Sequence, residues 1–157
     1  QVLTNTAEAL KKIGITLEVN DLADSSVLWE RLDAGTQELW TAAWGSTIDP
    51  DMYQVYHSSG IVGLGGSDSN HYHIADAELD NLIVEARKSD DQTYRKSVYK
   101  ACLDIIIDWA VEVPSYQRQN IVIFSTERVN IDTVTPDITT FWGWMNDIEL
   151  LEVYEAQ

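Results

Sequence analysis

Residues 39–44, with the sequence LWTAAW, are almost continuously apolar and end at a short polar bend. A strand that is covered on both faces of a sheet has this pattern, because neither of its faces meets water. A strand of this kind needs neighbours on both sides and covering elements above and below. The run therefore constrains the fold more than any other stretch of the chain, and we predict a buried strand here.

An alternating segment and a helical segment precede this run. Residues 15–20 alternate apolar and polar side chains, which predicts a strand with one better-buried face. Residues 27–32 space their apolar side chains in threes and fours, which predicts a helix that Ser25 or Ser26 caps and Gly35 ends. Strand, helix and strand within about thirty residues form a right-handed βαβ unit. We expect an α/β fold, a small and mainly parallel sheet flanked by helices.

Further helices are predicted on both sides of this unit. The first covers residues 6–13 and ends at Gly14. Another begins after Asp76 as N-cap, and a third is opened by a Ser89–Gln92 capping box and ended by Pro114. Residues 120–125, NIVIFS, are typical of one more strand, and the glycine-rich residues 60–70 predict a loop.

Size and charge limit the possible functions. A chain of 157 residues is about the size of one domain. Its formal net charge of −16 would repel nucleic-acid phosphates and anionic membranes, so we expect no nucleic-acid partner. The lone Cys102 lies in an apolar helical pattern, which predicts a buried and unreactive thiol.

The polar bend after the apolar run has the sequence WGSTIDPD, residues 44–51. In open parallel sheets, ligands collect beyond the carboxyl ends of the strands, where loops converge. The indole of Trp44 is suited to the apolar and backbone parts of a peptide or to a sugar face. Trp142 and Trp144 also fall outside the periodic helices, and they could either contact a ligand or fill a sheet edge or hinge.

Two alternative chemistries can be built from the polar residues. Asp49 and Asp51 flank a proline, where aspartate is favoured for turn formation but could also form a catalytic pair. His71 and His73, with Asp68 and Asp76 nearby, could bind a metal, although their spacing matches no strong zinc pattern. No G-x-S-x-G nucleophile elbow occurs. A secreted hydrolase or metal-binding domain is therefore the alternative function, while the main expectation is a protein that is not an enzyme and has no cofactor.

Five segments in order resemble one known family. They are ALKKIGITLEVNDL, LWERLDAG, WGSTIDPDMY, DAELDNLIVEAR and YRKSVYKACLDIIIDWAVEVPSYQRQ. The set resembles the C-terminal lobe of the extracytoplasmic solute-binding proteins of peptide/nickel-type ABC transporters, the oligopeptide- and dipeptide-binding type known as family 5. The resemblance covers residues 7–124 and is weaker beyond Ser125.

The resemblance implies a periplasmic-binding-protein-like architecture in which residues 1–157 form one lobe, with the larger N-terminal lobe outside this chain. It implies capture of an oligopeptide, or of a sugar or nickel chelate, and its delivery to a membrane permease. The protein would then lie outside the cytoplasm, in the periplasm or lipid-anchored at the cell surface. The resemblance matches Trp44, Thr47, Asp49 and Tyr116 to positions at the solute cleft. With Trp142 and Trp144, which are candidates from their place in predicted loops, these are the expected ligand-binding residues, and no metal is expected.

One position departs from the family pattern. Many peptide-binding members carry an aspartate three residues after the tryptophan, where it pairs with the terminal amine of the peptide. Thr47 stands at that position here, and the loop is one residue shorter. Because a hydroxyl cannot neutralise a buried ammonium, either Asp49 takes this role or the ligand is not held by a free amine.

Overall fold

The computed structural model describes residues 1–22, 24–45, 47–117, 119, 121–136 and 138–155. Its α-helices are α1 (Val2–Lys11), α2 (Ser25–Asp33), α3 (Tyr53–Tyr56), α4 (Ala77–Arg87) and α5 (Gln92–Trp109). Within these ranges, three short 3-10 helices cover Ser58–Gly60, Ile131–Thr133 and Ile148–Leu150. None of the helices in the described ranges is both long enough and apolar enough to cross a membrane.

The predicted α/β fold is wrong for the described part of the chain. Residues 15–19, 39–44 and 121–125 form no strand, and β pairing among the described residues is a single antiparallel bridge between Val129 and Val153. Asn120 of the third predicted strand lies outside the described residues. A strand needs a neighbour for its backbone N–H and C=O groups, and these segments have none. The apolar run is also not buried, since Leu39 is 62% exposed.

The chain divides into two compact units. The first contains residues 1–42 and 54–75, and with them α1 and α2. Helix α1 begins at Val2, four residues earlier than predicted, and has no buried residue. Helix α2 is capped by Asp24, whose carboxylate accepts the N–H of Ser26 at 2.9 Å, and not by Ser25 or Ser26 as predicted.

Contacts between aromatic rings and hydrogen bonds of the Asn70 side-chain amide connect residues of the first unit. Trp40 stacks on Tyr72 with ring centroids 5.5 Å apart, and its ring is nearly perpendicular to that of His71, with the centroids 6.2 Å apart. Tyr72 in turn stacks on Tyr56 at 5.6 Å. The fully buried Asn70 donates its amide to the carbonyl of Ile74 at 2.9 Å and accepts the Ile74 N–H at 3.3 Å. The apolar run therefore contributes to this unit through a tryptophan in a ring cluster and not through strand pairing.

The second unit contains residues 43–53 and 76–157, and its core is the α4–α5 helix pair. The buried apolar side chains of this pair are Leu79, Ile83, Ala86, Cys102 and Ile106. On α4 they recur at helical spacing, so one face of α4 packs on α5 as the sequence pattern indicates. Burial raises the pKa of the Cys102 thiol, in agreement with the prediction of an unreactive thiol.

The caps of these helices follow the prediction in one case and differ in another. Asp76 caps α4 as predicted, because its Oδ1 accepts the N–H groups of Glu78 and Leu79. Helix α5 is capped by Asp91, which accepts the N–H groups of Thr93 and Tyr94, and not by a Ser89–Gln92 box. Helix α5 also ends at Trp109, before Pro114, since Ala110 adopts a left-handed conformation with φ 53°.

Candidate functional site

The acidic bend, which we define as residues 47–51, is closed by its own short-range hydrogen bonds. The hydroxyl of Thr47 donates to the carbonyl of Asp49 at 2.7 Å. The carboxylate of Asp51 accepts the N–H of Tyr53 at 3.0 Å, at the start of α3. These are the contacts that aspartate and threonine make in turns. The bend is therefore a defined local structure, although Ser46 beside it lies outside the described residues.

Arg95 of α5 forms hydrogen bonds with two residues of this bend. Its Nη1 and Nη2 donate to the two carboxylate oxygens of Asp49 at 2.6 and 2.9 Å, and Nη2 also donates to the carbonyl of Pro50 at 2.7 Å. The Arg95 side chain is 8% exposed, whereas that of Asp49 is 67% exposed. The hydrogen bonds that Arg95 donates to Asp49 lower the pKa of the Asp49 carboxyl group and raise the pKa of the Arg95 guanidinium.

A second arginine contacts the other acid of the bend. Nε of Arg87, at the end of α4, lies 3.3 Å from Oδ2 of Asp51. The guanidinium of the same arginine lies 4.3 Å from the ring centroid of Tyr53, which is within cation–π range. Asp49 and Asp51 are thus each paired with an arginine, which argues against their forming a catalytic pair of carboxyl groups.

An open groove of about 810 Å³ lies beside the acidic bend. Its lining residues are Asp49, Asp51, Arg87, Lys88, Ser89, Asp90, Gln92 and Arg95. Three acids and three bases balance in this set, so the groove is polar without a dominant charge. The sequence pattern indicates Asp49 and Asp51 as candidates but does not indicate the arginines. A usable signal was present, because Arg95 lies on the same helix face as Cys102 and Ile106, where a charged residue needs a partner.

The predicted aromatic contacts differ in exposure. Trp44, just before the acidic bend, is 47% exposed, and Tyr116 is 81% exposed. Trp144 is half-buried and meets Phe124 edge-on, with ring centroids 5.5 Å apart. Within the described residues, no hydrogen bond, ion pair or ring contact joins Tyr116, Trp142 or Trp144 to the acidic bend. Thr47 and Asp49 are predicted site residues that a hydrogen bond joins, and Trp44 lies three positions before Thr47 in the chain.

Trp142 sits in a hydrogen-bonded turn. The hydroxyl of Thr139 accepts the N–H groups of Phe141 and Trp142, at 3.1 and 2.9 Å, and the Thr139 N–H donates to the Trp142 carbonyl at 2.8 Å. The indole Nε1 donates to Asp147 at 3.0 Å. Trp142 is still 46% exposed, so one part of its ring remains accessible while its polar atom is already satisfied.

The residues considered for a metal site have other contacts. His71 lies between Trp29 and Trp40, and its Nδ1 is 3.8 Å from a carboxylate oxygen of Asp33. Asp68 accepts the N–H of Gly63 at 3.1 Å, and Asp76 is the cap of α4. Over the described ranges, no group of three or more histidine, cysteine or acidic residues is placed to hold a metal ion.

A serine does lie beside a histidine, which the sequence pattern did not indicate. The hydroxyl of Ser59 is 2.8 Å from Nδ1 of His57. The backbone N–H of Ser59 donates to the same nitrogen at 3.1 Å. His57 is the N-cap of the Ser58–Gly60 helix. The pair has the geometry of a helix cap, in which the histidine satisfies a backbone donor.

Comparison with known proteins gives one informative similarity. The chain is 30% identical over 115 residues to the probable D,D-dipeptide-binding periplasmic protein DdpA of Escherichia coli (strain K12). The aligned part is 72% of this chain and spans 22% of the length of the relative. No protein-family model matches the chain, and no solved structure matches it.

This similarity supports a coarse conclusion. The chain has a partial and distant relationship to a periplasmic solute-binding protein, which agrees in outline with the family resemblance of its sequence. The relative is a binding protein by its name, and not an enzyme. A solute-binding role outside the cytoplasm is consistent with both observations.

Proposed function

We propose that this chain is one lobe of a two-lobed, extracytoplasmic solute-binding protein of family 5. The protein captures short peptides and delivers them to an ABC-type permease in the membrane. The observation that carries the proposal is the 115-residue similarity to a protein that is named for D,D-dipeptide binding in the periplasm. The second lobe and the permease belong to the proposal.

The surface around the acidic bend supports a binding role. An exposed indole, that of Trp44, lies three positions before the first residue of a bend that two arginines contact. Flat aromatic side chains contribute a large contact area at low cost in conformational entropy, and a fixed polar neighbour gives the contact its direction. We therefore assign to Trp44 the apolar wall of the solute site, and to the bend the hydrogen bonds beside it.

The polar groups of the bend limit the kind of contact that they can make. Thr47 donates its hydroxyl hydrogen to the Asp49 carbonyl, so its oxygen is left as an acceptor for a solute N–H. The Asp49 carboxylate is already neutralised by Arg95, but it is 67% exposed and a carboxylate has about four acceptor sites. We assign to Asp49 the role of hydrogen-bond acceptor for a solute amide or amine. Its negative charge is already compensated by Arg95, so it does not act as an unpaired carboxylate.

The remaining predicted residues fit the proposal unequally. Tyr116 and Trp142 are exposed enough to contact a solute. Trp144 packs against Phe124 and would present less of its ring. In a closed protein, the second lobe would exclude water from the solute and strengthen the polar contacts of the bend.

Binding measurements on the intact two-lobed protein test this function. Calorimetric titration with a dipeptide and tripeptide library should give micromolar or tighter binding, and mass analysis should recover the peptides uncleaved. Trp44→Ala should weaken that binding at least tenfold, whereas the control Leu103→Ala, which removes an exposed apolar side chain from α5, should leave it unchanged. Cleavage of the peptides would instead identify an enzyme.

A further inference from the structure

We propose that Arg95 is a positioning residue for solute binding, which fixes the acidic bend and through it Thr47 and Trp44. This inference rests on the proposed function, because it assigns a role within the same site. Arg95 was not among the residues that the sequence pattern singled out. Its place in the structure nevertheless connects the α4–α5 helix pair to the bend.

The contacts of Arg95 fix two consecutive residues of the bend. Two of its hydrogen bonds reach the carboxylate of Asp49, and a third reaches the backbone carbonyl of Pro50 at 2.7 Å. A guanidinium has a planar fork of donors, so the two-point contact defines both the distance and the orientation of the carboxylate. Because Arg95 binds the backbone of Pro50 as well as the side chain of Asp49, it restrains the backbone conformation of the bend.

Arg95 is itself immobilised within the helix pair. It lies on the buried face of α5 that also carries Cys102 and Ile106. Its Nη2 lies 3.5 Å from the hydroxyl of Tyr99, and its guanidinium lies 5.6 Å from the centroid of the Tyr99 ring. A side chain held on several sides loses little further freedom when it holds another group. The position of the bend is therefore set by the core of the second unit.

The positioning role can be separated from a role in folding. The α4–α5 core contains the fully buried Leu79, Ile83 and Cys102, whereas Asp49 at the other end of the contact is mostly exposed. Removing the carboxylate charge of Asp49 should thus release the bend without unfolding the helices. Asp49→Asn does this with little change in size, and Arg95→Lys keeps the positive charge but loses the planar fork.

The experiment compares the intact two-lobed protein with its Asp49→Asn and Arg95→Lys variants. Three quantities are measured for each: the Kd for a bound dipeptide or tripeptide, the thermal unfolding midpoint, and the hydrogen exchange of residues 47–53. We expect both variants to raise Kd at least tenfold and to speed exchange of residues 47–53 at least tenfold, with α5 still protected. Asp108→Asn is the matched control, because it removes an exposed carboxylate from α5 away from the groove and should change none of these quantities.

The outcomes separate the two proposals. Faster exchange in the bend with an unchanged Kd would overturn the positioning role and leave the proposed function standing. An unchanged exchange rate in both variants would also overturn it. If the wild-type protein binds no peptide while the variants still show the faster exchange, the proposed function is wrong, and the contact fixes the bend for a structural reason alone.

Discussion

Arg95 and Asp49, which are 46 positions apart in the chain, form a two-point ion pair between a buried guanidinium and an exposed carboxylate. The pair shows that Asp49 of the WGSTIDPD stretch belongs to a turn that a distant side chain holds in place. It also shows that the charge of Asp49 is compensated within the second unit. A solute that meets this bend meets a fixed and nearly neutral polar surface.

Leu79 should be a main determinant of the stability of the second unit. It is fully buried between α4 and α5, so Leu79→Ala removes buried apolar surface and leaves a cavity. We expect a loss of about 2–5 kcal/mol in the free energy of unfolding. Urea titration followed by helical circular dichroism measures this loss. Leu103→Ala on α5, where the side chain is 46% exposed, should change the free energy by no more than about 0.5 kcal/mol.

Asn70 should stabilise the first unit through its buried amide. Asn70→Ala leaves the carbonyl and the N–H of Ile74 without their partner, and the carbonyl of His57 loses a donor at 3.2 Å. Leaving buried backbone groups unpaired should cost about 1–3 kcal/mol. Hydrogen exchange of residues 57–74 should accelerate in this variant. The control Leu64→Ala, an exposed residue in the same loop, should exchange at the wild-type rate, and a similar acceleration there would rule out a specific role for the amide.

Asp76 should contribute a pH-dependent part of the stability. Its backbone hydrogen bond with Leu79 and its side-chain hydrogen bond with Trp109 lower its pKa below the ordinary 3.8. A carboxyl group whose pKa is lower in the folded state than in the unfolded state stabilises the folded state. This stabilisation is complete at pH values above the unfolded-state pKa, and it is lost as the pH falls through the folded-state pKa. The thermal midpoint should therefore fall as acid is added below about pH 5.

Two substitutions at position 76 separate charge from capping. Asparagine caps helices as well as aspartate does, so Asp76→Asn should remain close to wild type at pH 7 and show a smaller loss of midpoint in acid. Asp76→Ala removes the cap itself and should cost about 1 kcal/mol at pH 7. If the thermal midpoint of Asp76→Asn falls in acid as much as that of the wild-type protein, groups other than Asp76 cause the fall.

The sequence predicted local features well and non-local ones poorly. Helices α2, α4 and α5, together with the Asp76 cap, follow from side-chain spacing and cap chemistry, which act within a few residues. The predicted strands fail because alternation and apolar runs report only how suitable a segment is for a sheet. Strand pairing depends on a partner that is distant in the sequence. In residues 39–44, Trp40 makes ring contacts with His71 and Tyr72, and the segment pairs with no strand.

In the candidate site too, residues close together in the sequence could be predicted and a distant partner could not. Trp44, Thr47 and Asp49 are predicted from the bend and from the family resemblance, and their role in binding stays a prediction. Arg95 was not identified, since its partner lies 46 positions away and no spacing rule connects them. The available clue was a charged residue on the buried face of α5, which indicates that a partner exists but not which residue it is.

Native mass spectrometry of the intact two-lobed protein, as purified from its producing cells, tests the proposed solute capture most directly. We predict a protein mass increased by a peptide-sized ligand, which is released unchanged on unfolding and is reduced or absent in Trp44→Ala. A wild-type protein that carries no ligand, and that gains none from a peptide library, would contradict the account.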